Sequence, residues 1–162
     1  MFRRDLAYSW LAIGNTEESL ADLAAALDAH RRALATFEAM AAADRRSTDP
    51  VLGIAMSHHN CGEALVKLGR PAEGLQEFRH ARAAYETVVA ASPSEAWASG
   101  MLGSLYVEMA DLEKNESPGE ACALYGKAVG LFEPIAAGGG LSPKRREQLA
   151  AAKERLAACA NR

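Results

Sequence analysis

The sequence predicts an all-α protein built from stacked helical hairpins, and three observations point to this fold class. A short phrase recurs three times, beginning at Ala33, Ala81 and Ala128, so that the copies stand 48 and 47 residues apart. Repetition at a period of tens of residues is typical of proteins whose units are too small to bury a core alone. Alanine is abundant, whereas the β-branched and aromatic residues that favour strands are scarce. Prolines that follow capping residues mark helix starts.

The helix starts are marked by four dipeptides: Asp49-Pro50, Ser92-Pro93, Ser117-Pro118 and Ser142-Pro143. Proline suits the first helical position, because its missing N–H would have no intrahelical partner there. Glu95 and Glu120 follow the second and third of these capping residues at the spacing of a capping box. We therefore predict that a helix begins at each of the four prolines.

Glycines mark the turns. Gly69 predicts a left-handed helix end before Pro71, and internal alignment puts Ala21 in the equivalent place, where the turn is either strained or continues as helix. The run Gly138-Gly139-Gly140 predicts a flexible joint before the last helix. Together these signals predict seven helices, at about residues 2–20, 22–45, 50–68, 71–91, 93–112, 118–137 and 142–160.

Apolar residues recur at helical spacing and predict the core. The stripe of the second helix consists of Leu23, Ala26, Leu27, Ala33, Leu34, Phe37 and Met40, and that of the fourth of Leu75, Phe78, Ala81, Tyr85 and Val88. We interpret residues 1–162 as one domain of three repeats, at about 2–46, 50–91 and 93–137, with a capping helix at 142–160. The basic residues of that last helix are expected to form a solvated face: Lys144, Arg145, Arg146, Lys153 and Arg155.

Composition excludes several kinds of partner. The 162 residues carry a net charge of −3 without a block of five like charges, so we expect no nucleic-acid binding. No apolar run reaches the length of a membrane span, and we expect no membrane association. The cysteines Cys61, Cys122 and Cys159 lack the close spacing of a zinc knuckle or redox motif. Their odd number, without a secretory signal, predicts a reducing, cytoplasmic location.

The sequence offers little reactive chemistry. Four histidines, His30, His58, His59 and His80, could suggest a metal, but two ligands four residues apart on one helix face are absent. Cys61 lies three residues after His58 and could form a thiol–imidazole pair. However, Cys61 aligns with apolar Ile13 and Leu102, which predicts a buried, inert thiol. We therefore expect no enzyme activity, no metal and no cofactor.

Each repeat carries a related pattern. The first unit reads Trp10-x2-Ile13-Gly14 and then Ala26-x3-His30-x2-Ala33. The second reads His58-x2-Cys61-Gly62-x2-Leu65 and then Gly74-x3-Phe78-x2-Ala81. The third reads Leu102-Gly103-x2-Tyr106 and then Ala121-x3-Tyr125-x2-Ala128. This pattern resembles the tetratricopeptide repeat (TPR), in the long-repeat bacterial form that occurs alone or after a protein-kinase domain. Small residues such as Gly62 and Gly74, twelve apart, can face each other across a hairpin. Six extra residues in the third unit enter the connection 111–120, which is expected to protrude as a contact site or as a tolerated insertion.

The resemblance implies a right-handed α-α superhelix, or solenoid, whose first helices line a concave face that binds an extended peptide or a partner helix. Carried over at helical spacing, that face consists of Tyr8, Leu11, Asn15, Glu18, Met56, His59, Asn60, Glu63, Val66, Lys67, Trp97, Ser104 and Val107, with Gly100 beside them. Few basic residues occur there, which favours a neutral or weakly basic, partly apolar peptide over a carboxylate terminus.

The sequence thus predicts a non-catalytic protein–protein adaptor whose partner it does not identify. The alternative is a self-associating regulatory or assembly segment of a larger protein, such as a TPR-containing bacterial kinase. In that case Phe2, Leu6 and Trp10 of the first helix could pair with a second copy to form a homodimer.

Overall fold

As a computed structural model, the structure describes residues 2–160, and helices account for most of this part of the chain. The seven helices are α1 (Phe2–Ser19), α2 (Leu23–Ala43), α3 (Asp49–Lys67), α4 (Pro71–Ala91), α5 (Ala96–Glu113), α6 (Pro118–Ala137) and α7 (Pro143–Ala160). No strand occurs among these residues, so the predicted all-α class is confirmed.

The helices group into two compact units, Met1–Val88 and Val89–Arg162. In the first unit α1 packs on α2, α2 on α3, and α1 also touches α3. In the second unit α6 packs on both α5 and α7, and α7 also touches α5. Helices that follow one another in the sequence are therefore neighbours in each unit. The single domain over residues 1–162 stays a prediction.

The core of the first unit is formed by the predicted stripes. Ala33 and Phe37 of α2 pack with Ala7 and Leu11 of α1. A second buried cluster joins Leu27 of α2 to three residues of α3, namely Cys61, Ala64 and Leu65. In α4 the buried residues are Gly74, Phe78, Ala81, Tyr85 and Val88. The stripe of α4 is thus buried from Phe78 onward.

Close approach of α3 and α4 depends on Gly62. A Cβ built on Gly62 would lie 2.4 Å from the Phe78 ring and 3.1 Å from the Gly74 carbonyl oxygen. A Cβ on Gly74 would in turn lie 2.9 Å from the Gly62 carbonyl oxygen. The two small residues therefore face each other across the hairpin, as predicted.

Three helix ends adopt the same left-handed turn. The φ angles are 63° at Ala21, 75° at Gly69 and 74° at Gly139. After each of them an amide donates to the carbonyl five residues earlier: Asp22 to Glu17 (2.9 Å), Arg70 to Leu65 (2.9 Å) and Gly140 to Ile135 (3.0 Å). This is the hydrogen bond of the Schellman motif. Of the two alternatives for Ala21, the strained turn is correct.

One predicted helix start is wrong. α5 begins at Ala96 rather than Pro93, with Glu95 as its N-cap at φ −78° and ψ 89°. The amide of Glu95 donates to the carbonyl of Ser92 at 3.0 Å, so that the four residues from Ser92 form a turn instead of a capping box. The fixed φ of proline fits a turn as well as a first helical residue, which explains the error.

The other predicted starts lie within one residue of the observed ones. Pro118 and Pro143 open α6 and α7, whereas α3 begins at Asp49, and Thr48 is its N-cap. The Ser117 side chain forms no capping hydrogen bond. The carboxylate of Asp49 accepts a hydrogen bond from the Tyr8 hydroxyl (3.3 Å) and pairs with Arg4 (3.4 Å). Thr48 rather than the predicted Asp49 is thus the N-cap of α3, whereas the predicted cap Ser142 accepts a hydrogen bond from the Arg145 amide at 3.4 Å.

The basic residues of α7 do not all face solvent. The Arg145 guanidinium lies over Gly100 and donates to the Met101 sulfur at 2.8 Å. Arg155 pairs with Asp111 at 2.6 Å. Both arginines bind α5, because α7 contacts α5 as well as α6. The expectation of a purely solvated basic face is therefore wrong for these two residues.

α7 is also joined covalently to α6. Cys122 and Cys159 form a disulfide across 37 residues of sequence, and Cys61 is a buried free thiol. Their sequence spacing gave no indication of this pair. Within residues 2–160, none of the helices is long and apolar enough to cross a membrane.

Candidate functional site

Two rows of predicted partner-binding residues meet along the edge where α1 and α3 touch. The Asn60 side-chain amide donates to the Asn15 side-chain oxygen at 3.1 Å. Further along, Lys67 of α3, two turns after Asn60, forms an ion pair with Glu18 of α1, one turn after Asn15. Glu63, one turn after Asn60, is half-buried, and one of its carboxylate oxygens lies within 4.8 Å of a ring nitrogen of His59. We refer to Tyr8, Asn15, Glu18, Asn60, Glu63 and Lys67 as the α1–α3 rim.

Tyr8 forms one end of the rim. Its ring stands edge-on against Phe37 with the centroids 5.1 Å apart, and Arg4 lies over it at 5.8 Å. Its hydroxyl donates to Asp49. Burial and the neighbouring Asp49 carboxylate raise the pKa of the Tyr8 hydroxyl. The side chain is half-buried, so it combines a fixed orientation with an accessible face.

Four other predicted residues of α1 and α3 pack against neighbouring side chains, and two of them are buried whereas the other two are half-buried. Leu11 is buried in the core cluster, and His59 is buried with its ring edge-on to Phe78 (5.7 Å). Met56 packs on the same cluster as Leu11. Val66 faces α4, since its Cγ2 would lie 2.7 Å from a Cβ on Gly74. Leu11 and His59 are buried because each helix packs against two neighbours, which widens its buried arc beyond the stripe used to orient it.

The predicted residues of α5 are also mostly covered. Ser104 is buried and donates to Gln148 of α7 at 2.8 Å, while Arg145 of α7 lies over Gly100. Val107 is buried, and only Trp97, in the first turn of α5, is exposed. α7 therefore occupies part of the surface that was assigned to a partner. Trp97 alone remains accessible from this group.

The rim can bind peptide groups. After the Asn60–Asn15 bond is formed, both amides keep N–H donors and oxygen lone pairs. A side-chain amide can accept from a backbone N–H and donate to a backbone C=O of an extended segment. From Tyr8 to Glu18 the helix rises by roughly 15 Å, about the length of four or five extended residues.

Sequence reasoning missed a polar group between α3 and α4. His58 Nδ1 lies 2.6 Å from a carboxylate oxygen of Glu77, and the His80 ring stacks on His58 with centroids 5.1 Å apart. The hydrogen bond from His58 is the main cause that lowers the pKa of Glu77. Glu77 directly precedes the core residue Phe78, so its position at the hairpin edge could have been inferred. The His58 ring is therefore hydrogen-bonded to the Glu77 carboxylate.

Burial removes the remaining nucleophile candidate. The Cys61 side chain is buried, and burial raises the pKa of its thiol to about 12. The predicted burial of Cys61 is confirmed. Because the thiolate is the nucleophilic form, this cysteine stays protonated and is a poor nucleophile at neutral pH.

In the second unit a cavity of about 180 Å³ lies beside the disulfide. The Tyr125 hydroxyl donates to Asp111 at 2.6 Å, and Arg155 binds the same carboxylate oxygen. Burial and Asp111 raise the pKa of Tyr125 to about 12. Asp111 thus pairs with Arg155, one of two cations that line the cavity, and this part of the connection 111–120 is held in place. Only residues 114–120 are exposed there.

The sequence matches no protein-family model, and no curated protein is significantly similar to it. The resemblance to the tetratricopeptide repeat therefore depends on the motif residues of this chain alone.

Proposed function

We propose that this protein is a non-catalytic adaptor of the tetratricopeptide type that binds an extended peptide segment of another protein along the α1–α3 rim. The observation that carries the proposal is the side-by-side placement of Asn15 and Asn60, with Tyr8 at one end of the rim and the Glu18–Lys67 pair at the other. The right-handed superhelix and a bacterial origin belong to the same proposal, whereas the Cys122–Cys159 disulfide fits an oxidising compartment rather than the reducing, cytoplasmic one that the sequence predicted.

Chemistry supports binding rather than catalysis. The thiol of Cys61 is buried, and His58 is committed to Glu77. The rim carries amides, one aromatic ring and charges that largely compensate each other. Such a surface suits a neutral or weakly basic peptide with an apolar residue for Tyr8, because aromatic side chains are favoured anchors at protein interfaces.

The proposal is tested by selecting peptides from a random displayed library and measuring the affinity of the selected peptides for variants. The double variant Asn15→Ala/Asn60→Ala should weaken binding by roughly 30-fold, about 1 kcal/mol for each lost hydrogen-bonding group. The matched control is Gln76→Ala/Thr87→Ala on the exposed side of α4, which should bind as the wild type does. Peptides that bind the rim variant and the wild type equally would contradict the proposal.

A further inference from the structure

The outer face of α1 carries an exposed apolar row that neither the core nor the rim uses. Three of its side chains are large, apolar and exposed, namely Phe2 (92%), Leu6 (50%) and Ile13 (42%), and Leu20 (71%) continues the row in the turn directly after α1. With Ser9 and Thr16 they are spaced 4, 3, 4, 3 and 4 residues apart, and we call these six residues the α1 seam. Single exposed apolar residues are ordinary, but a continuous row along one helix indicates an interface.

The spacing of the seam is that of a heptad repeat, in which two helices pack side by side. The opposite face of α1 is already occupied, since Ala7, Leu11 and Gly14 are its buried residues. A helix at the surface of a globular protein needs only one apolar face. The second face of α1 therefore fits another helix.

The two polar residues of the seam are compatible with burial. The Ser9 hydroxyl donates to the Asp5 carbonyl at 2.7 Å, and the Thr16 hydroxyl donates to the Ala12 carbonyl at 2.9 Å. Both hydroxyl protons are thus bound within the helix. Burying these side chains against an apolar neighbour leaves no donor unsatisfied.

The charges beside the seam favour a second copy in antiparallel orientation. Arg3, Trp10 and Glu17 stand seven residues apart and flank the seam on the same side. When two α1 helices run antiparallel, the same flank of each copy faces the other. Arg3 then lies opposite Glu17 of the second copy at both ends.

These flanking charges are available for such contacts. Arg4 and Glu18 of α1 pair with Asp49 and Lys67 of α3. Within residues 2–160, Arg3 and Glu17 form no side-chain ion pair. In a parallel pair this flank would instead face the opposite flank of the second copy, where Asp5, Ala12 and Ser19 offer Glu17 no cation. Charge therefore selects the antiparallel one.

We propose that two copies of this chain form a homodimer through an antiparallel pair of α1 helices. The seam contacts are Phe2 with Leu20, Leu6 with Thr16, and Ser9 with Ile13. The dimer uses the side of α1 away from the core, whereas the rim uses the edge beside α3, so the proposal is independent of the proposed adaptor function.

Sedimentation velocity over a range of protein concentrations tests the dimer. The wild type should show a monomer–dimer equilibrium, and Leu6→Glu/Ile13→Glu should raise the dissociation constant by roughly 100-fold or more, because two buried apolar contacts become buried charges. The control Leu68→Glu changes an exposed leucine outside α1 and should leave the dimer intact. A wild type that stays monomeric at its highest soluble concentration would overturn the proposal, as would a dimer that survives Leu6→Glu/Ile13→Glu.

A charge exchange tests the orientation. Arg3→Glu alone should weaken the dimer about tenfold, since each end then carries two facing carboxylates. The double variant Arg3→Glu/Glu17→Arg should restore wild-type affinity, because opposite charges face each other again. If Arg3→Glu has no effect, or if the double variant fails to restore the dimer while circular dichroism shows a folded chain, the antiparallel arrangement is wrong.

Discussion

The imidazole of His30 packs directly onto the backbone of Gly14, so closely that a Cβ on the glycine would lie 2.3 Å from the ring. Phe78 takes the corresponding place against Gly62 in the second hairpin. His30 is completely buried, and neither of its ring nitrogens has a hydrogen-bond partner among residues 2–160. The first hairpin therefore places a polar ring where the second has an apolar one.

Replacing His30 by phenylalanine should stabilise the protein. A buried unsatisfied donor costs about 1–3 kcal/mol, and the Phe78 site shows that a phenyl ring fits this packing. We expect the free energy of unfolding to rise by about 1 kcal/mol, since some of the gain is lost to the larger ring. Urea unfolding at pH 8 measures the change. A destabilised His30→Phe protein would show that a bound water or a packing constraint favours imidazole.

The same residue should make stability depend on pH. Burial lowers the pKa of His30 below its ordinary value of 6.5, with a smaller opposing influence from Glu18. Below pH 6.5 the unfolded chain binds a proton that the folded chain binds only at lower pH, so protonation favours unfolding. Titration of His30 therefore leaves the free energy of unfolding of the wild type unchanged above pH 6.5 and lowers it as the pH falls below that value. The gap between His30→Phe and wild type in urea midpoints should therefore widen from pH 7 to pH 5.

The strained turn at Ala21 offers a second stabilising change. A left-handed φ of 63° at a residue with a Cβ costs roughly 1 kcal/mol, a cost that glycine avoids. We expect Ala21→Gly to raise the free energy of unfolding by about 0.5–1 kcal/mol. The matched control is Gly69→Ala, which introduces the same strain into the equivalent turn at φ 75° and should destabilise by a similar amount. If both variants melt at the same temperature as the wild type, the two turns relax without strain and the prediction is wrong.

The disulfide should contribute substantially to the stability of the second unit. A cross-link that closes 37 residues reduces the entropy of the unfolded chain, which corresponds to about 4 kcal/mol in the chain-entropy treatment. Cys122→Ser/Cys159→Ser should lose roughly this amount and should melt identically with and without reductant. Titration of the unfolded, non-reduced wild type should find one thiol, that of Cys61. Three thiols would exclude the bond in the isolated protein.

The periodic apolar stripes and turn glycines determined most of the fold from sequence. Phe37, Phe78 and Tyr85 are buried as their spacing predicted, and the turn at Ala21 was located by aligning it with Gly69. These features are local, or they repeat along the chain. The start of α5 was misplaced because Pro93 is equally suited to a turn.

Contacts between distant segments could not be predicted. The Cys122–Cys159 bond and the contact of Arg145 with Met101 depend on α7 lying across α5 and α6, which no local pattern encodes. For the same reason the burial of some residues of the predicted binding face was not foreseen. Asn15 and Asn60 do meet, but Leu11 and His59 are buried by second neighbours.

Two glycines inside helices should respond oppositely to the same substitution. At Gly62 a Cβ would meet the Phe78 ring at 2.4 Å, so Gly62→Ala must push α3 and α4 apart and should cost about 2 kcal/mol even after its gain in helix propensity. At Gly130, an exposed position within α6, nothing lies within 4 Å of the added carbon. Gly130→Ala should therefore stabilise by about 0.5–1 kcal/mol through helix propensity alone. Urea unfolding of both variants measures the contrast, and a stabilised Gly62→Ala protein would show that the two helices do not approach this closely.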